Sequence, residues 1–75
     1  MRNILLEIRM LKEGSEKDFL HKTFFDVKRN INAKNENALR MIISRLNGLY
    51  SGMSPKAQKI SLMLVNEIKE AEEKK

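Results

Sequence analysis

The side chains in this chain able to do chemistry are few and far apart. His21 is the only histidine. With Asp18 it forms an i, i+3 pair on one side of a predicted helix, which would supply two metal ligands. A closed zinc site needs four ligands and a catalytic one three. No second histidine and no cysteine exists to complete the set, so the pair reads as a solvated polar face. A serine nucleophile with His21 as its base would need a shaped pocket and a group to orient the base, and the sequence indicates neither. Gly48 and Gly52 stand four apart but lack the Lys-Ser/Thr ending and the preceding strand of a phosphate loop. The acidic tail, with Glu67, Glu70, Glu72 and Glu73, lacks the spaced oxygen ligands of a calcium loop. The expectation is a protein that is not an enzyme and takes no metal and no cofactor.

The elements that would position any site are helices. Ser51-Gly52-Met53-Ser54-Pro55 separates two amphipathic stripes. One carries Leu39, Ile42, Ile43, Leu46, Leu49 and Tyr50; the other carries Ala57, Ile60, Leu64, Ile68 and Ala71. Glycine ends a helix because it tolerates positive φ. Ser54 can cap the next helix with its hydroxyl, and Pro55 suits a first turn where no backbone donor is missed. Upstream, Ile4, Ile8 and Leu11 share a face, and Gly14 stops that segment. Ser15 and Asp18 make a Ser-x-x-Asp variant of the capping box. Leu20, Phe24, Val27 and Ile31 follow at steps of 4, 3 and 4, the helical period. Asn30, Asn32, Asn35 and Asn37 then mark a turn, because asparagine hydrogen-bonds nearby backbone. Apolar and polar residues never alternate in the manner of a strand. The spacing predicts helices over about 3–12, 16–31, 36–50 and 55–73 in a single domain, residues 1–75. Short links favour an antiparallel up-down four-helix bundle. The alternative is a three-helix bundle with a loosely docked first helix, because that helix is short beside a third one of about 15 residues, roughly 22 Å long.

Composition narrows the setting. A chain of 75 residues buries only about 60% of its unfolded surface. With no cysteine it has no disulfide framework, which points to a reducing, cytoplasmic interior. Arg2 before Ile4, Leu5 and Leu6 has the outline of a signal peptide, but Glu7 and Arg9 break the run and no small-residue cleavage site follows. A membrane span, needing roughly 20 apolar residues, is not expected.

The net charge of +5 is unevenly placed. Between Val27 and Asn66, Lys28, Arg29, Lys34, Arg40, Arg45, Lys56 and Lys59 face the single acid Glu36. Such a stretch suits a phosphate backbone, an anionic membrane surface or an acidic protein; it also simply keeps a small domain soluble. Nucleic acid ranks below protein as a partner. No short helix pair makes a helix-turn-helix, Arg40 and Arg45 fall on opposite flanks of their stripe, and no aromatic platform for single strands stands out. Some apolar residues fall off the stripes: Leu6, Met10, Phe25, Met41 and Met63, together with Leu62 and Val65, which share one side of the last helix. Exposed apolar clusters mark contact sites, and Leu62 with Val65 is the first candidate. The candidate partner-binding residues are therefore Leu62, Val65, Lys28, Arg29, Arg40, Arg45, Lys56 and Lys59. The expected partner is a protein, and a homodimer is a second expectation.

The chain resembles the small cytoplasmic immunity proteins that protect bacteria from class II bacteriocins, the enterocin A immunity-like family. The resemblance runs through Leu5-Leu6-Glu7-Ile8, Phe25-Asp26-Val27-Lys28, Leu39 to Leu49, Met53-Ser54-Pro55 and Val65-Asn66-Glu67-Ile68. It implies an antiparallel four-helix bundle inside the producing cell, peripheral at the inner face of the membrane. There it would recognise a bacteriocin bound to its receptor, a sugar phosphotransferase permease. Specificity in that family is assigned to the C-terminal part, here the last helix and Glu70 to Lys75. Leu46 to Glu70 is also similar to the dimerising helical tails of phage-type repressors. That implies, as the alternative, a small phage- or plasmid-type regulator acting through protein contacts or weak nucleic-acid binding.

Overall fold

The computed structural model describes residues 3–73; Arg2, Lys74 and Lys75, which entered the readings of the two ends, lie outside them. Four α-helices follow in order: α1 (Ile4–Arg9), α2 (Ser15–Asn32), α3 (Glu36–Leu49) and α4 (Pro55–Glu73), with a 3₁₀ turn at Tyr50–Gly52. No strand occurs among the described residues. The protein is an all-α bundle.

The ends of the helices set their directions. Ser54, just before α4, bonds Glu16 in the first turn of α2. At the other end Ile31 and Asn32 of α2 line the same groove as Glu70, Ala71 and Glu72 of α4. So α2 and α4 run parallel, and α3 returns antiparallel to both. α1 and α3 each pack against α2 and α4 but not against one another; they occupy opposite sides of the α2–α4 seam.

Local chemistry explains most of the boundaries. Asn3, Asn35 and Ser54 cap α1, α3 and α4, their side-chain oxygens accepting from the amides of Leu6 (3.0 Å), Ala38 (3.2 Å) and Ala57 (3.3 Å). The Ser15–Asp18 capping box does not form. Gly14 (φ 153°) is the cap, with no side chain to bond, and the Asp18 amide donates to the Gly14 carbonyl instead. Ser15 therefore lies inside the first turn. The asparagine run ends α2 in a Schellman arrangement: the Lys34 amide donates to Ile31 O, and the Asn35 amide to Asn30 O. Lys34 takes the left-handed conformation there, φ 56°. Gly52, expected to end α3 by positive φ, does not; among the described residues only Gly14 and Lys34 have positive φ. α3 instead tightens into the 3₁₀ turn, and Met53 becomes extended. α1 is shorter than the expected 3–12. Past Arg9, the amides of Met10 and Leu11 reach back to Leu6 and Ile8 in a tighter turn, which swings Leu11 into the core.

The core joins Ile4, Ile8 and Leu11 to Leu20 and Val27, Leu39, Ile42 and Leu46, and Ala57, Ile60, Met63, Leu64 and Ile68. The loosely docked first helix is thereby corrected: Ile8 is 0% exposed. A helix of six residues does not persist in isolation, so burial of those three side chains holds it. Met63, expected outside the stripe, is 6% exposed. It lies one turn beyond Lys59, which meets Glu7 of α1 at 3.7 Å, so α1 covers that side of α4. Leu49, assigned to the buried stripe, is 47% exposed, although Leu46 in the same last turn of α3 is buried. Two hydroxyls are buried as well: Thr23 Oγ1 donates to the Phe19 carbonyl at 2.8 Å, and Ser61 Oγ contacts Met53 Sδ at 3.0 Å.

One long-range polar contact clamps the parallel helices. The Ser54 amide and hydroxyl both donate to the Glu16 carboxylate, at 3.0 and 2.7 Å. These bonds hold the Glu16 carboxyl below its ordinary value of 4.5. A carboxylate lowered on folding contributes stability above its unfolded value and loses it as pH falls through the folded one. We expect acid titration to weaken the fold from about pH 4.5 downward. Glu16→Gln should flatten that limb and cost about 1 kcal/mol at neutral pH, the low end for bonds to a charged group because the site remains hydrated. Urea unfolding of both proteins at pH 3.5 to 7 should read this as about one-fifth of the domain's margin at most.

Candidate functional site

The expected partner-binding cations are all exposed, but the fold does not gather them. Lys28 and Arg29 stand on the outer side of α2, Arg40 and Arg45 on α3, and Lys56 and Lys59 at the start of α4. Arg40 and Arg45 are about 140° apart at 100° per residue, so even on one helix they diverge. Three of the six are engaged locally. Arg29 pairs with Asp26, Lys59 meets Glu7, and the Lys28 ammonium lies 5.7 Å from the centre of the Phe24 ring. Arg40, Arg45 and Lys56 make no ion pair among the described residues.

Leu62 and Val65 part company. Leu62 is exposed on a face shared with Lys59, Asn66 and Lys69, whereas Val65 is half-buried and packs on the core. The pair is not one exposed patch. The 60° between them is enough to turn Val65 toward the side of α4 that meets the α3 turn. There Gln58 Nε2 donates to the Tyr50 carbonyl and Ser61 contacts Met53. Leu62→Glu should therefore leave stability within about 0.5 kcal/mol, and Val65→Glu should cost about 2 kcal/mol by forcing a charge against apolar neighbours. Thermal melts of the two single variants would read the difference as a midpoint drop confined to Val65→Glu.

The other off-stripe residues, Leu6, Met10, Phe25 and Met41, are exposed. Two of them sit in settings that were not grouped from the sequence. Phe25, 51% exposed, has His21 and Lys22 at i−4 and i−3, and Lys28 and Arg29 at i+3 and i+4. These are the positions that share a helix face. Its ring meets His21 edge-on (centroids 5.0 Å apart, 74°) and Phe24 likewise (5.3 Å, 79°). His21 is thus part of a small aromatic cluster rather than an isolated polar residue, and an aromatic does stand among cations on α2. On α3, Met41 and Leu49 are exposed one turn to either side of Arg45. Both groupings were legible as i±3 and i±4 spacings. They were missed because Phe25 and His21 were each weighed alone and Leu49 had been placed in the core.

Among the described residues no three His, Cys, Asp or Glu side chains gather as a metal site, and no helix is long and apolar enough to cross a membrane. No family model, curated protein or solved structure matches the chain. A groove of about 640 Å³ lies where the end of α2, the start of α3 and the end of α4 meet.

Proposed function

We propose that this protein is a non-catalytic helical bundle that works by surface contact, as an immunity protein guarding its producer cell against a class II bacteriocin from the cytoplasmic side. The observation that carries the reading is the pairing of exposed apolar side chains with cations on separate helices. Phe25 lies among Lys22, Lys28 and Arg29, Met41 and Leu49 flank Arg45, and Leu62 lies near Lys59 and Lys69. Such surfaces suit a partner presented at an anionic membrane, where cations add long-range attraction and apolar groups add short-range contact. The segments that resemble the immunity family run through all four helices, in keeping with the bundle that family implies. The expected result is that a bacteriocin-sensitive lactic acid bacterium expressing the chain survives one or a few members of a class II bacteriocin panel. No protection across the panel, with folded protein present in the cells, would contradict the reading.

One observation favours the alternative of a small regulator. The Phe25 ring among cations combines a stacking surface with phosphate-binding charge, the two elements of sequence-tolerant single-strand binding. That alternative requires nucleic-acid affinity that falls steeply with salt, which a titration at two ionic strengths would reveal.

A further inference from the structure

The shortness of α1 leaves part of the bundle uncovered. α4 has nineteen residues and α1 six, so at 1.5 Å per residue they span roughly 28 and 9 Å. The Glu7–Lys59 contact places α1 beside the first turns of α4. Met63, Glu67 and Glu70 continue the Lys59 side of α4 at steps of four and three, and Met63 is still covered. Beyond it the seam between α2 and α4 opens into the 640 Å³ groove. Ile31, Leu39 and Ala71 give the groove apolar lining, and the α4 wall carries Glu67, Glu70 and Glu72. Those three carboxylates have no ion-pair or hydrogen-bond partner among the described residues. Lys28 and Lys34 also line the groove, but the Lys28 ammonium is drawn to the Phe24 ring.

From this we propose that the open seam docks a cationic amphipathic helix of a partner protein. Shape and charge both select that occupant. The seam already seats one helix, α1, in its lower part, so a second helix laid end-on to α1 would continue the same packing. The floor takes an apolar stripe, as in helix-in-groove recognition. The α4 wall, an acidic patch on a protein of net charge +5, takes lysines or arginines along one flank, because its carboxylates attract cations locally and disfavour anions there. The same groove would serve an immunity protein or a regulator.

The probe is a synthetic peptide of about 12 residues, the length that fills the uncovered seam, with a leucine stripe, lysines along one flank and a fluorescent end group. Its counterpart carries glutamates for lysines. Anisotropy titration at physiological salt should show saturable binding of the lysine peptide and none of the glutamate peptide. Amide shifts in labelled protein should centre on Ile31, Leu39, Glu67, Glu70 and Ala71. Glu67→Lys with Glu70→Lys should weaken binding about tenfold while helical circular dichroism stays unchanged. Ala71→Phe, which fills the groove without altering charge, should weaken it to a similar degree. Equal binding of both peptides, unchanged affinity in both variants, shifts centred on Phe25, or self-association through the groove in place of peptide binding would each overturn the proposal.

Discussion

Ile8→Ala is expected to destabilise the protein by about 3 kcal/mol, within the range for truncating a large buried aliphatic side chain. Ile8 is fully buried, and with Ile4 and Leu11 it anchors α1 in the core shared with α2 and α4. The loss acts twice. It leaves a cavity between the helices, and it releases a segment too short to stay helical alone. For a domain of this size the melting midpoint should fall by roughly 15 °C. Leu6→Ala, on the exposed face of the same helix, should shift it by no more than about 0.5 kcal/mol. Near-equal melts for the two variants would mean that α1 contributes nothing to the folded state.

The second large effect concerns one chemical change made at two glycines. Gly14 adopts φ 153° and ψ −175° between α1 and α2, and a Cβ built there meets nothing within 4 Å. The cost of Gly14→Ala is therefore purely conformational, about 1–3 kcal/mol for a backbone region open essentially to glycine alone. Gly48 is helical, and a Cβ there also meets open space. Gly48→Ala should stabilise by up to about 1 kcal/mol, since alanine loses less backbone entropy in a helix. Urea midpoints moving in opposite directions at unchanged slope are the expected result; two shifts of the same sign would contradict it.

The particular residues that were legible in the sequence share a property: their partners are close in the chain. Asn35 and Ser54 cap helices three residues downstream, and Leu20 to Val27 or Leu39 to Leu46 line faces fixed by the helical period alone. Some of the residues that were misread depend on neighbours far along the chain, whereas the Ser15–Asp18 box and Gly52 were local readings that failed. Met63 is buried because α1 lies against its side of α4. The Glu16–Ser54 clamp joins residues 38 apart, and no local pattern announces it. The same holds for the surface. A basic stretch that is continuous in sequence is divided among three helices, so proximity along the chain did not become a patch. The groove follows from α1 ending at Arg9, earlier than its apolar spacing suggests, because Leu11 reaches the core through a tight turn rather than through further helix.

Docking of α1 underlies both the four-helix architecture and the open seam above it, and native-state hydrogen exchange of its amides tests that most directly. The Met10 amide, bonded to Leu6 O, and the Leu11 amide, bonded to Ile8 O, close the end of α1. Protection at both well above that of a free peptide, and lost together with α1's burial in Ile8→Ala, is the predicted result. Exchange of these amides at free-peptide rates while α2, α3 and α4 stay protected would contradict it, leaving a three-helix bundle with an unattached first segment.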